Sequence, residues 1–419
     1  MVPAMPSLSS ARTYVTSSLA CLLLTACGGE PRGAAAPNDT PPASGPAPTA
    51  AAPAPSPRPV AAPIDRQLAR PDVIAKSAPL PGFTRGINLG NGLDAPTEGA
   101  WGTKLTEKHF ELAKRAGFDH VRLPVRFTTT ERSEPNPPYT VKEEFFKRVD
   151  WAIDQALAQK LSVILDVHHF EEIHKDPQPN IPRLYALWKQ IGARYAKLPP
   201  EVAFEILNEP NAQLEPQLLN EVTAEALRLI REKNPTRLVF ANSYFWAAAD
   251  KLAELKLPAA DANVVAQFHM YQPILFTHQG ADWMDAWCQT RGLIFPGPPP
   301  VPLEPTPAAA ATDWVKAWFD RYNNAPAAEN PGGPRTVFEH FDHAARYVQT
   351  TGKRVYLGEF GAIEHADEQS RVNYLWLVRT EAERRGIGWA YWDDGGRFKL
   401  MNPATGTLNE ALHRALFDG

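Results

Sequence analysis

Eight short apolar runs recur along the chain, at 83–89, 120–125, 162–167, 202–207, 237–241, 264–268, 355–358 and 388–392. Most are apolar on both faces, as parallel strands covered on each side must be. The stretches between them read as amphipathic helices. Segment 106–116 sets Phe110, Ala113 and Ala116 on one face, and 141–159 sets Phe145, Val149, Ile153, Ala156 and Leu157 at helical spacing. A third such stretch is 221–233. This alternation predicts an α/β fold, a (β/α)8 TIM barrel. A doubly wound open sheet would alternate similarly. However, the glycines of Gly86-Ile87-Asn88-Leu89-Gly90-Asn91-Gly92 lack the spacing of a dinucleotide-binding turn. The longest interruption, 270–351, falls between the sixth and seventh strands, and a structureless loop of that length would be unusual. It carries a Pro-rich segment at 295–307 and the pairs Trp283/Trp287 and Trp314/Trp318. A partly helical insertion on the rim is therefore expected.

The 419 residues are 44% hydrophobic and 21% charged, with a formal net charge of −4. Such usage belongs to a globular protein, and neither the net charge nor any Lys/Arg run offers a surface for nucleic acid. The 42 prolines are uneven, and 31–63 is built mainly of Pro and Ala with few bulky apolar residues. That stretch cannot bury enough surface to offset its ordering entropy, so 27–63 reads as an extended linker. Before it, the apolar segment 19–26 is too short to span a bilayer and resembles the core of a signal peptide, covering 1–26. Cys27 follows Leu24-Thr25-Ala26 as in a bacterial lipobox, which makes it a candidate lipidation site. The competing reading is an ordinary signal peptide cleaved near Ala26. Export with a lipid anchor at the cell surface, or secretion, is the expected localisation, and 64–419 is the expected catalytic domain.

Two glutamates end apolar runs: Glu209 in Val202-Ala203-Phe204-Glu205-Ile206-Leu207-Asn208-Glu209-Pro210 and Glu359 in Val355-Tyr356-Leu357-Gly358-Glu359. A carboxylate that ends a strand is tolerated where the strand opens onto a cleft, because an unpaired buried charge costs several kcal/mol. In a barrel the site gathers at the C-terminal strand ends. Reading those ends in order gives Asn88 and Asn91, Arg122, His168 and His169, Asn208 and Glu209, His269 and Tyr271, Glu359, and finally Trp392, Asp393 and Asp394. A polar or titratable group at nearly every strand end points to an enzyme.

Asn208-Glu209-Pro210 and Glu359 resemble glycoside hydrolase family 5, the cellulase-like barrels. Arg122-Leu123-Pro124-Val125, Asp166-Val167-His168-His169, His269-Met270-Tyr271 and Trp392 fall in that family's order, so the resemblance spans about 64–419. It implies a retaining double displacement, with Glu209 as acid/base and Glu359 as nucleophile, on a β-1,4-glucan. Mannan, xyloglucan and mixed-linkage glucan stay open as substrates. Arg122 is expected to keep Glu359 ionised, Asn208 to meet the sugar 2-hydroxyl, and Tyr271 to orient the nucleophile. His168 and His269 are expected to line the cleavage subsite, with Trp392, and less directly Asn91, Trp101 and Trp283, at the substrate. No metal or organic cofactor is required. The expected partners are a poly- or oligosaccharide and, through a lipid anchor only, a membrane; the chain is expected to act as a monomer.

Competing readings exist for several of these residues. A His168/His169 metal site is disfavoured because neighbours on a strand face opposite ways. Arg122 could pair with a structural acid. Glu205 shares a face with Glu209 but should sit deeper, in a structural role. The insertion tryptophans divide between insertion core and sugar platforms. Glu171 and Glu172 read as a solvated loop face, and Asp393 could reach substrate or merely end its strand. A non-catalytic glycan-binding lipoprotein is the rival of another class.

Overall fold

A computed structural model of the chain describes residues 59–418. The signal-like segment, Cys27 and the linker as far as residue 58 lie outside the described residues. Strands β1 (Arg85–Asn88), β2 (His120–Leu123), β3 (Ser162–Asp166), β4 (Val202–Glu205), β5 (Val239–Asn242), β6 (Val264–Met270), β7 (Val355–Phe360) and β8 (Gly388–Tyr391) close into one barrel, each parallel to its neighbours. The expected eight-strand alternation is the observed one. All eight strands are buried almost throughout, which is why they read as continuous apolar runs rather than as alternating ones.

Helices between the strands cover the outside of the barrel. Glu107–Arg115 and Glu143–Ala158 follow β1 and β2, and their buried stripes include Phe110 and Ala113, and Val149, Ile153 and Ala156. Pro216–Arg231 begins with a proline whose missing N–H the first helical turn does not need. The barrel interior is filled at its base by Leu80, Phe83, Ile164, Ala203, Phe240, Val265, Tyr356 and Ala390. It is a packed core, so any site must lie above it.

Closure between β8 and β1 depends on bare backbone. A Cβ on Gly388 would sit 2.1 Å from the Phe83 carbonyl oxygen, an approach only glycine allows. The segment before β1 runs back over the helix Glu368–Arg384. Ala61 N–H donates to Asp367 at 3.2 Å, Ile64 N–H to Asn373 at 2.9 Å, and Ser77 Oγ accepts from Val355 N–H at 3.0 Å.

The interruption after β6 is partly helical, as expected. Asp313–Asn324 belongs to the insertion, whereas Pro334–Thr351 is the regular helix leading into β7. Trp287 packs on Trp314 and Trp318 stacks on Tyr322, so these aromatics form the insertion's own core. Among the described residues no helix is long and apolar enough to cross a membrane.

Candidate active site

Arg122 lies wholly buried in β2 and organises the floor of the site. Its Nε and Nη2 donate to both oxygens of Glu205 at 2.7 and 2.8 Å, a bidentate fork. Nη1 donates to Glu359 Oε1 at 2.7 Å and to Asn88 Oδ1 at 2.9 Å. Nη2 also donates to Asn208 Oδ1 at 2.7 Å and stands 2.7 Å from Asp166 Oδ2. Arg122 thus meets Glu359 and a structural acid together. Glu205 sits four residues below Glu209 on the β4 side. Burial would raise its carboxyl, but Arg122 holds it below the usual range. Burial, only partly opposed by Arg122, pushes Asp166 well up, with Glu205 adding to the push.

A β-bulge aims the two sides of the cleft at each other. Between β6 and β7 the register steps from Phe268 opposite Leu357 to His269 opposite Glu359, leaving Gly358 as the extra residue. A Cβ there would lie 2.5 Å from Gln267 Nε2 and 2.9 Å from His269 Nε2. His269 Nδ1 is 2.8 Å from Glu209 Oε1 and 3.6 Å from Glu359 Oε2. One oxygen of each carboxyl and the imidazole nitrogen lie within 4.8 Å of one another. Tyr271 hydroxyl donates to Glu359 Oε2 at 2.9 Å.

The two carboxyls have different surroundings. Burial pushes Glu209 up to about 7, against the opposing pull of His169 and Arg122. Burial also raises Glu359, while His269 and Arg122 pull it back and Glu209 pushes it further. Burial lowers His269 to about 4, so its ring is neutral near neutral pH. The Glu209 side chain keeps 26% exposure and Glu359 only 6%, so Glu209 is the more open to the cleft.

Asn208 is fixed end for end. Its Oδ1 accepts from Arg122, which turns Nδ2 toward His168 Nε2 at 3.2 Å. His168 must then carry its proton on Nδ1, which lies 2.9 Å from Asp166 Oδ2. Asp94, His168 and His169 could bring three donor atoms within 4.8 Å, but His168 already engages both ring nitrogens. That donor set does not suit a metal.

Trp392 is half-buried and stacks parallel to His168, with centroids 5.8 Å apart. Gly90 lies beneath it, where a Cβ would come within 2.9 Å of the indole. Asn91 spends its side-chain amide on Asp393, and Asp393 is fully buried and accepts from Gly396 N–H at 3.1 Å. Both therefore brace the loop after β8. His169 lies between Asp94, 3.9 Å from Nε2, and Glu171, 3.5 Å from Nδ1, and packs edge-on against Trp101, which is 45% exposed. Glu171 and Glu172 are exposed, as expected, but on a short helix, Glu171–Lys175. Across the cleft, Trp283 is 52% exposed beside His278 and Phe398, which both pack on Tyr271.

The aromatic pair Phe245 and Trp246 was not singled out from sequence. They are 36% and 41% exposed on the turn after β5, and Trp246 N–H donates to the Pro210 carbonyl at 3.2 Å. The only signal was the aromatic triplet Tyr244-Phe245-Trp246 directly after a strand. Asn91, His169, Glu209, Phe245, Trp246 and Ala247 all have φ between 45° and 61°. Left-handed backbone at non-glycine residues is uncommon and gathers at functional sites.

Residues 84–397 match the family described as cellulase, glycosyl hydrolase family 5. The chain belongs to that family. Among family relatives, Endoglucanase H of Acetivibrio thermocellus is 30% identical over 340 residues, covering 80% of this chain and 32% of the relative. The chain thus spans about a third of that protein. Endoglucanase C of the same organism is 28% identical over 327 residues, covering 74% of this chain and 91% of the relative. The crystal structure of endoglucanase Cel5A from Thermotoga maritima superposes with a TM-score of 0.68 at 33% identity, covering 80% of this chain and 97% of that one. The cellulose synthase subunit Z from Clostridioides difficile does so with a TM-score of 0.69 at 34% identity, covering 80% and 100%. The chain is a glycoside hydrolase of family 5.

Proposed function

We propose that the protein is a retaining endo-β-1,4-glucanase in which Glu209 is the acid/base and Glu359 the nucleophile. The observation that carries this reading is the close carboxyl pair at the ends of β4 and β7, one oxygen of each lying within 4.8 Å of the other. An inverting pair stands roughly 6.5–9.5 Å apart to admit a water, and a retaining pair roughly 5–5.5 Å. Glu359, facing the Arg122 guanidinium, attacks the anomeric carbon while Glu209 gives its proton to the departing glycosidic oxygen. A glycosyl ester on Glu359 results. Glu209, now a carboxylate, takes a proton from water, whose oxygen displaces Glu359 and restores both groups. Asn208, with one amide hydrogen beyond its His168 contact, suits the 2-hydroxyl, and Trp392 offers a face for the pyranose ring. Trp101, Trp283, Phe245 and Trp246 would extend the contact along a polymer.

The same mechanism on mannan is the second reading, since Thermotoga maritima Cel5A has been solved with cellobiose and with mannotriose. Export with Cys27 lipidated, and a linker leading to a catalytic domain at 64–419, complete the proposal. Reducing-end assays on soluble glucans and mannans separate the substrates, and NMR of the first product reads the stereochemistry. Inverted product would exclude the retaining mechanism. Labelled palmitate incorporated by wild type but not by Cys27→Ala would support the anchor.

A further inference from the structure

Glu209 stands on a backbone that a residue with a Cβ seldom adopts. Its φ is 45°, and Ala212, three residues on, has φ 50°. Such geometry persists only where the surroundings over-determine it. Among the hydrogen bonds that hold the loop after β4, three are donated to the carbonyls of Glu209, Pro210 and Ala212. Trp246 N–H donates to the Pro210 carbonyl at 3.2 Å, and Tyr244 hydroxyl donates to the Ala212 carbonyl at 2.8 Å. The third acts on the Glu209 peptide itself: Asn211 Nδ2 donates to the Glu209 carbonyl at 2.8 Å.

The same amide nitrogen lies 3.2 Å from His174 Nδ1, on the short helix Glu171–Lys175 that follows β3. His174 is buried, its Nε2 has no hydrogen-bond partner, and burial lowers it to about 4. The ring is therefore neutral near neutral pH, and Nδ1 can accept. An asparagine amide has two N–H groups, and here each has an acceptor, the Glu209 carbonyl and the His174 ring. The reversed amide would set its oxygen against the carbonyl. His174 thus fixes which end of Asn211 faces Glu209. The two loops are also joined by Gln213 N–H, which donates to the His174 carbonyl at 2.9 Å. No step of the proposed reaction uses either Asn211 or His174.

We infer that Asn211, oriented by His174, is a positioning residue for proton donation: it holds the Glu209 peptide in the left-handed turn that aims its carboxyl at the glycosidic oxygen. The inference rests on the reading of Glu209 as the acid/base. Misplacing a catalytic group by about 1 Å can cost on the order of 100-fold. The loss should fall only where protonation of the leaving group matters.

The test compares kcat/KM for wild type, Asn211→Ala, Asn211→Asp, His174→Ala and Glu209→Ala on two aryl β-cellobiosides. Phenyl needs its leaving oxygen protonated, and 2,4-dinitrophenyl does not. Asn211→Ala and the isosteric Asn211→Asp, which lacks the donor, should lose about 10- to 100-fold on phenyl cellobioside. On dinitrophenyl cellobioside they should stay near wild type. His174→Ala should show the same bias more weakly. Because retained dinitrophenyl turnover itself reports a folded site, a destabilised variant cannot imitate this pattern. Equal loss on both substrates, or none, in the two Asn211 variants overturns the inference. If Glu209→Ala shows the leaving-group bias and the Asn211 variants do not, the role of Asn211 alone falls. An unbiased Glu209→Ala removes the acid/base reading and the inference with it.

Discussion

At Glu209 the carboxyl meets a neutral imidazole, whereas Glu359 meets a guanidinium and a phenol hydroxyl. With Glu209 as the proposed acid, kcat/KM on glucan should fall as pH rises through about 7, the Glu209 value. The same shift has a stability consequence. Between pH 4.5, the ordinary value of a glutamate, and about 7, the unfolded chain releases this proton while the folded chain keeps it. Stability therefore drops with rising pH across that window and levels off above it. Allowing for partial exposure, the drop is on the order of 2 kcal/mol. Glu209→Gln has no proton to release and should escape it. Its Tm advantage over wild type should therefore grow from pH 4.5 to 7 and then stay constant. Arg122 faces Glu205, Glu359 and Asp166 without another cation in direct contact among the described residues. Arg122→Ala leaves buried carboxylates uncompensated and should cost about 3–5 kcal/mol, read from the urea midpoint, together with activity. At this scale the sequence was legible where a charge interrupts an apolar run. Arg122, Glu205, Glu209 and Glu359 all stand out that way, since a dry strand does not carry a charge without a reason. The bond between Asn91 and Asp393 was not legible, because a polar residue after a strand can turn to the cleft or to its neighbour's loop, and tertiary contacts set its partner.

The register step in the β6–β7 pairing depends on one residue without a side chain. Gly358 lets His269 sit opposite Glu359, and any Cβ there would press on Gln267 and His269. Gly358→Ala should therefore displace His269 and lower kcat more than KM, with a loss of about 1–3 kcal/mol in stability from overpacking. Kinetics on soluble glucan and a thermal melt check this. The eight strands were readable because each is short, apolar and separated by a helical period, and their cores match the runs within a few residues. The bulge was not readable, since Leu357-Gly358-Glu359 looks like an ordinary strand end. Nor was the left-handed run at Phe245–Ala247, whose backbone is set by contacts with Pro210 and with the edge of β6.

The barrel is closed sideways by β1 against β8 and at its base by residues that precede β1. Leu80 and Phe83 plug the interior, and Ser77 ties β7 to the end of the last long helix through Val355 and Arg385. A chain beginning at residue 84 should melt at least about 5 °C below one beginning at residue 59, because it loses several kcal/mol of apolar burial. Differential scanning calorimetry of the two chains measures this. Such long-range ties were invisible in the sequence: 59–80 has no helical or strand period, and its role comes from where it docks. The aromatic rim has a use for the experimenter as well. Trp101, Trp246 and Trp283 are the most exposed indoles and stand around the cleft, while Trp188, Trp376 and Trp389 are buried. Iodide should quench the first group selectively, and a bound oligosaccharide should shield it. The protein therefore carries an intrinsic optical gauge of how much of its cleft is occupied, readable without any label.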